Sequence, residues 1–172
     1  MMSNSYICNL DILTNTKITI FLYRNVRNVS DIKRKLFAGE IQCAVLNPSL
    51  ICSPFLIATA ANKAMISKFR NTLTTRTIYT EVLYNLSPTR NISESLMKFG
   101  IDDELKNMII IFLNNVENDD DFNKVLNIVD GEQVPINKLH EFNDISLIRK
   151  VYKISEAELK VSSLEDSILS KL

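Results

Sequence analysis

The 172-residue chain has three glycines, one histidine, three cysteines and no tryptophan. Each scarcity removes a class of chemistry. Gly39, Gly100 and Gly131 lie too far apart for a glycine-rich phosphate loop, which excludes the P-loop, the kinase loop and the dinucleotide fingerprint. His140 stands alone, so neither a multi-histidine metal site nor a histidine pair can form. Cys8, Cys43 and Cys52 are odd in number and widely spaced, unlike a zinc site or a small disulfide framework. The strongest apolar run, Met108 to Leu113, is six residues long, far short of a membrane span. The first residues lack the basic flank and apolar stretch of a secretory signal, so the chain is expected in the reducing interior of a cell. Asn28, Asn85 and Asn91 begin Asn-x-Ser sequons, which carry no meaning in a protein that is not secreted. Most catalytic kits are therefore missing, and no cofactor, metal or membrane is expected.

What is present describes an ordinary soluble domain. Hydrophobic residues make up 46% and charged residues 23%, and a chain of this length folds as about one domain without needing a metal or disulfide to hold its core. Twenty basic and twenty acidic side chains cancel, yet the halves do not. Residues 1–90 hold eleven basic side chains against four acidic ones, a balance of +7; residues 91–172 hold nine against sixteen, a balance of −7. Such asymmetry fits an anionic partner for the first half, and equally fits two halves that attract each other within one domain.

Lys17 to Tyr23 is rich in β-branched and aromatic residues and predicts a strand. Ser30 then reads as an N-cap, Ile32, Leu36 and Phe37 as an apolar stripe, and Gly39 as a C′ residue. Cys43 to Leu46 reads as a short buried strand ended by Asn47-Pro48. Pro54 opens a long helix to about Arg70, with Phe55, Ala58, Met65 and Phe69 on its apolar face and Lys63, Lys68 and Arg70 outside. After a polar turn, Asn71 to Thr77, a helix carries Ile78, Val82, Leu83 and Leu86 until Pro88 stops it. Asn91 and Glu94 have capping-box spacing, and Gly100 ends the helix that follows. Met108 to Leu113 is the clearest buried strand. The acidic run Asp119 to Asp121 suits the positive end of a helix carrying Phe122, Val125, Leu126 and Val129; it lacks the spaced ligands and central glycine of a calcium loop. Gln133 to Ile136 predicts a strand, Asp144 a helix start, Val151 to Ile154 a strand, and Ser162-x-x-Glu165 a C-terminal helix with Leu164, Ile168 and Leu169. The sum is an α/β class: a single domain over residues 1–172, with a mixed β-sheet packed by helices.

Cys43 or Cys52 with His140 would make a nucleophile–base pair, the basis of a hydrolase reading, but both cysteines sit in apolar surroundings where thiols are usually buried. Glu81 has no second carboxylate at a spacing that suggests acid–base work. Ala60 to Ala64, Ala-Ala-Asn-Lys-Ala, offers small side chains that admit a close neighbour, with Asn62 and Lys63 for hydrogen bonding and charge. Arg76 follows in a turn. Lys63, Lys68, Arg70 and Arg76 together suit phosphate contact, arginine as a bidentate fork and lysine as a point charge, which positions a nucleic acid without reading its sequence. Helix packing beneath a basic surface explains the same residues.

At this stretch the chain resembles the kinase-binding accessory subunits of the KEOPS (EKC) tRNA-modification complex, the TPRKB-like family. The features that carry the resemblance are Asn47-Pro48, Ala60 to Ala64, Thr75-Arg-Thr77 with Glu81, Asn85-Leu-Ser-Pro88, Asn91-Ile92 with Leu96 and Phe99-Gly-Ile101, and Ile18 to Lys35 and Val151-Tyr-Lys153 extend it. Their order and spacing extend through most of the chain. The resemblance implies a non-catalytic subunit, in cytoplasm and nucleus, that binds the small lobe of the complex's atypical, PRPK-like kinase and supports its ATPase activity. It also implies help in holding tRNA by its single-stranded 3′ CCA end for threonylcarbamoyl-adenosine modification, with other KEOPS subunits as indirect partners. On that basis Asn62, Lys63, Arg76 and Glu81 are candidate tRNA-end residues, with Lys68 and Arg70 as auxiliaries. Arg76 would grip phosphate, and Glu81 would orient Arg76 or accept from a sugar or base. Leu86, Pro88 and Ile92 are candidate apolar anchors for the kinase; Ile92 and Leu96 would also offer apolar contact to bases. The alternative is a kinase-binding adaptor without RNA-binding activity.

Overall fold

In a computed structural model, which describes residues 4–115 and 122–172, the apolar runs form the centre of one sheet. Strand β2 (Thr16–Arg24) pairs antiparallel with β4 (Met108–Asn115), with Ile20 opposite Ile111 and Phe21 opposite Ile110. Strand β3 (Ala44–Leu46) adds to the far side of β4. Strand β1 (Tyr6–Asn9) and the short β5 (Glu132–Val134) share the other edge of β2, β1 along residues 17–20 and β5 along residues 22–24. Every pairing described is antiparallel. Asn15 turns the β1–β2 hairpin at φ +47°, a left-handed conformation that asparagine tolerates better than most residues.

The runs are apolar at consecutive positions because both faces of the sheet are covered. Ile18, Ile20, Leu22, Ile109 and Ile111 point to one side. There they meet α2 (Pro54–Phe69), α3 (Ile78–Leu86), α4 (Ile92–Phe99), α6 (Ile145–Tyr152) and α8 (Leu164–Leu169). Phe21, Tyr23, Met108, Ile110 and Phe112 point to the other side, against α1 (Val29–Phe37) and α5 (Phe122–Leu126). A four-residue helix, α7 (Glu156–Leu159), precedes α8. The expected α/β class with a sheet packed by helices is what forms, in three layers.

Gly100 shows how tightly the end of α4 is held. A Cβ there would lie 2.5 Å from the Leu96 carbonyl oxygen. The neighbouring Phe99 carbonyl accepts the Asn47 N–H at 2.8 Å, tying the end of β3 to α4.

Several local expectations change. Helix α1 starts one residue before Ser30, and Asn28 precedes it; the Asn28 side chain reaches across to the Ile128 carbonyl and the Asp130 N–H, while the Ser30 hydroxyl bonds Asp103. Gly39 does take the left-handed conformation, at φ +75°, but Phe37 is turned out to solvent, with Lys33 over its ring. On α2 the buried face is Leu56, Ile57, Ala58, Ala60, Ala61 and Ala64, and the bulky Phe55 and Phe69 are exposed. Small side chains let α3 pack close, and that contact rather than ring size chose the face. Residues 151–154 are not a strand: Ile148 and Tyr152, one turn apart, bury the α6 face, and Lys153 ends the helix at φ +55°. Helix α8 is capped by Ser163, whose hydroxyl accepts the Asp166 N–H, rather than by Ser162. The acidic run Asp119 to Asp121 lies outside the described residues.

Candidate functional site

Helix α2 ends as it does because asparagine can replace glycine at C′. Asn71 sits at φ +56°, its N–H bonds the Lys68 carbonyl, and the Thr72 N–H bonds the Ser67 carbonyl at 2.8 Å. That pair of bonds is a Schellman closure, and it leaves Lys68 and Arg70 projecting from the last turn. Helix α3 starts with a reciprocal box: Thr77 Oγ1 accepts the Thr80 N–H, and Thr80 Oγ1 accepts the Thr77 N–H. Between these two ends the loop is fastened by Glu81. Its side chain is buried, and its carboxylate accepts the Thr74 N–H at 3.1 Å, the Thr75 N–H at 2.8 Å and the Thr75 hydroxyl at 2.7 Å. The Thr80 hydroxyl extends the network to Thr75. A buried carboxylate with three donors is well compensated, and Arg76, the next residue along, is thrust into solvent.

The tRNA-end candidates therefore separate into two groups. Lys68, Arg70 and Arg76 are exposed and, among the described residues, make no ion pair or side-chain hydrogen bond. No acidic residue occurs in the sequence between Glu40 and Glu81, and Glu81 itself faces inward, so nothing nearby in the sequence neutralises these cations. Asn62 and Glu81 are engaged elsewhere. Asn62 Oδ1 accepts the Asp11 N–H at 2.7 Å and pins the β1–β2 hairpin to α2. Glu81 bonds the loop backbone rather than Arg76, so it positions Arg76 through the chain and not through an ion pair. Lys63 is exposed, with Nζ 3.3 Å from the Leu172 carbonyl oxygen. Lys63 and Arg70, seven residues apart, share a helix face that Lys68 does not.

The α2 and α3 segments behind this loop lock together. Asn85 is buried, and its side-chain N–H₂ donates to the Ala60 carbonyl at 3.1 Å. Of the three anchor candidates, Leu86 is 1% exposed and belongs to the core; its carbonyl accepts the Tyr152 hydroxyl at 2.5 Å. Pro88 and Ile92 are on the surface. Pro88 lines a groove of about 410 Å³ between the α3–α4 loop, α4 and the end of α6, with Ser87, Thr89, Glu94, Lys98, Val151, Tyr152 and Lys153. Asn91 caps α4 by accepting the Glu94 N–H, but the Glu94 carboxylate turns to Lys98 and Thr89 instead of closing the box. The Lys98 bond holds the Glu94 carboxyl below the usual range. Leu96 is packed against the core rather than free for a base.

Cys43 and His140 are not brought together. Cys43 is buried in the layer beneath α1, where desolvation pushes its thiol up to about 12 and keeps it protonated. His140 lies in the exposed part of a 3₁₀ segment, Ile136–Glu141, that packs on the opposite layer through Leu139. Cys52 is half-buried on that opposite side, and burial raises its thiol pKa too. Among the described residues no group of three or more histidine, cysteine or acidic side chains is placed to hold a metal, and no helix is long and apolar enough to cross a membrane.

Sequence reasoning missed the threonine network and the exposure of Phe69. The first had a faint signal, since Thr77 and Thr80 stand at capping-box spacing with threonine in place of glutamate.

The model of a family described as kinase binding protein CGI-121 matches residues 23–172. The chain is 32% identical over 164 residues to the EKC/KEOPS complex subunit TPRKB of Danio rerio, covering 95% of this chain and 94% of that protein. It is 28% identical over 158 residues to the EKC/KEOPS complex subunit CGI121 of Candida glabrata, covering 91% and 89%. With the subunit of the same name from Eremothecium gossypii the identity is 31% over 148 residues, covering 81% of each.

Proposed function

The chain belongs to the CGI-121 family of kinase-binding proteins, and from that membership we propose that it is the non-catalytic KEOPS subunit that binds and activates the complex's atypical kinase and helps recruit tRNA by the 3′ CCA end. The kinase half of the proposal rests on the family match over most of the chain and on relatives named as EKC/KEOPS subunits. Pro88 and Ile92, exposed beside the groove at the end of α3, are the contacts proposed for the kinase. Other KEOPS subunits would be reached through it, in cytoplasm and nucleus.

The RNA half is carried by one observation: Lys68, Arg70 and Arg76 project unpaired from the two ends of one loop in an acid-free stretch. Exposed cations without intramolecular partners give up no ion pair when a phosphate arrives, and each phosphate neutralised releases counterions. Arg76, fixed at its Cα by the Glu81 network, is the residue best placed to grip. Asn62 and Glu81 serve the site indirectly, by holding the hairpin and the loop.

Arg76→Glu is expected to weaken binding of a CCA-ended tRNA by about tenfold or more, since it removes a bidentate phosphate contact and adds repulsion. The fold and the kinase affinity should not change, because Arg76 is exposed and makes no ion pair or side-chain hydrogen bond among the described residues. For the wild type, the logarithm of the binding constant should fall steeply with the logarithm of salt concentration. Unchanged tRNA affinity in Arg76→Glu contradicts the assignment of Arg76. A flat salt response contradicts phosphate contact altogether.

A further inference from the structure

We propose that Phe69 is the platform on which a base of the bound single-stranded RNA end stacks, a deepening that rests on the tRNA reading above. The ring occupies the last turn of α2, between Lys68 and Arg70, and is 64% exposed. Among the described residues it has no aromatic or cationic ring partner and lies outside both core clusters. A single exposed ring is ordinary on a protein surface; what sets Phe69 apart is its place between Lys68 and Arg70, two exposed cations that form no ion pair among the described residues. The Schellman closure at Asn71 fixes the turn that carries it, so the ring does not belong to a frayed end.

The charge around the ring identifies the occupant. Three unpaired cations, Lys68, Arg70 and Arg76, surround it in sequence, and the stretch from 41 to 80 contains no acid. A ring flanked by cations in an acid-free stretch of sequence matches what single-stranded nucleic acid requires: positive charge along the backbone and a π-face for an unpaired base. A duplex buries its base faces in the stack and exposes only that of its terminal pair, so the platform favours a single-stranded tail whose bases are free. A protein docking on this surface would need acidic side chains around an apolar anchor, and that is the competing occupant the experiment must separate.

The chain has no tryptophan, which supplies a direct probe. In Phe69→Trp the new indole is the sole tryptophan, and its fluorescence should be quenched on adding a tRNA acceptor minihelix that ends in single-stranded CCA. The same minihelix trimmed to a blunt end should quench it far less. Phe69→Ala should weaken binding of the CCA-ended minihelix by about tenfold, in the range of one lost base stack. Its melting temperature should stay near that of the wild type, because the ring is mostly exposed and lies outside both core clusters. Phe69→Tyr and Phe69→Trp should bind as the wild type does.

Wild-type affinity in Phe69→Ala, alongside weakened binding in Arg76→Glu, overturns the platform while the RNA reading stands. Equal quenching by the blunt and the CCA-ended minihelix also overturns it. If Phe69→Ala loses kinase affinity and keeps RNA affinity, the ring is a protein contact and the proposal fails. If the wild type binds neither minihelix, the RNA reading fails, and the platform with it.

Discussion

Glu81→Ala is expected to lower stability by about 3 kcal/mol, through loss of charge-assisted hydrogen bonds and exposure of their donors to an apolar hole. For a domain of this size that corresponds to roughly 6–12 °C in melting temperature. The carboxylate is 2% exposed and accepts from Thr74 N–H, Thr75 N–H and the Thr75 hydroxyl. Truncation leaves three donors facing a space into which water must move or the loop must open. Because Thr75 precedes Arg76, the loop change should carry the guanidinium with it, so tRNA affinity should fall even at temperatures where the variant is folded. Glu81→Gln should lie between, since its amide keeps one acceptor oxygen but sets its own N–H₂ against the loop donors. Thermal melting with tRNA titration checks both effects. A Glu81→Ala protein that melts with the wild type would mean that the carboxylate does not hold the loop.

Leu86→Ala should be comparably costly, by about 2–5 kcal/mol, because it empties a packed site rather than trimming a surface. Leu86 is 1% exposed within the large core cluster, and its backbone carbonyl is gripped by the buried Tyr152 hydroxyl, whose pKa burial raises above the ordinary tyrosine value. The mutation therefore tests a division of labour at the end of α3. If Leu86 serves the core and Pro88 and Ile92 face the partner, Leu86→Ala lowers the melting temperature without changing kinase affinity measured well below the transition. Ile92→Ala should do the reverse, leaving stability within about 0.5 kcal/mol while weakening the kinase complex. A Leu86→Ala protein with wild-type melting and lost kinase affinity would reverse that assignment.

These two residues mark where sequence stops being informative. The strands were legible because a sheet covered on both faces writes consecutive apolar residues, as in Met108 to Leu113, and most helix ends were legible from Pro54, Thr77, Asn91 and Asp144. The faces of the helices were less so. On α2 four alanines and a pair of aliphatics form the buried face while Phe55 and Phe69 face water, since the close approach of α3 rewards small side chains over large ones. The same limit applied to the site. A glutamate, an asparagine and a leucine beside a basic loop look alike in a sequence whether they touch a ligand or hold the loop. Only the hydrogen bonds of Glu81 and Asn62 and the burial of Leu86 assign them to the scaffold. Lys68 and Arg70, expected outside the apolar face of α2, and Arg76, expected in a turn, are exposed and make no ion pair among the described residues. Val151 to Ile154 misled because a β-branched, aromatic run is also what the last turn of a buried helix contains.

The claim on which the rest depends is that this chain engages the KEOPS kinase of its own source. Calorimetric titration of the protein into that purified kinase, with ATP hydrolysis followed in parallel, tests it most directly. One-to-one binding with stimulated hydrolysis is the expected result. Absence of binding at micromolar concentrations would contradict the proposed role and leave the basic α2–α3 loop in need of a different partner.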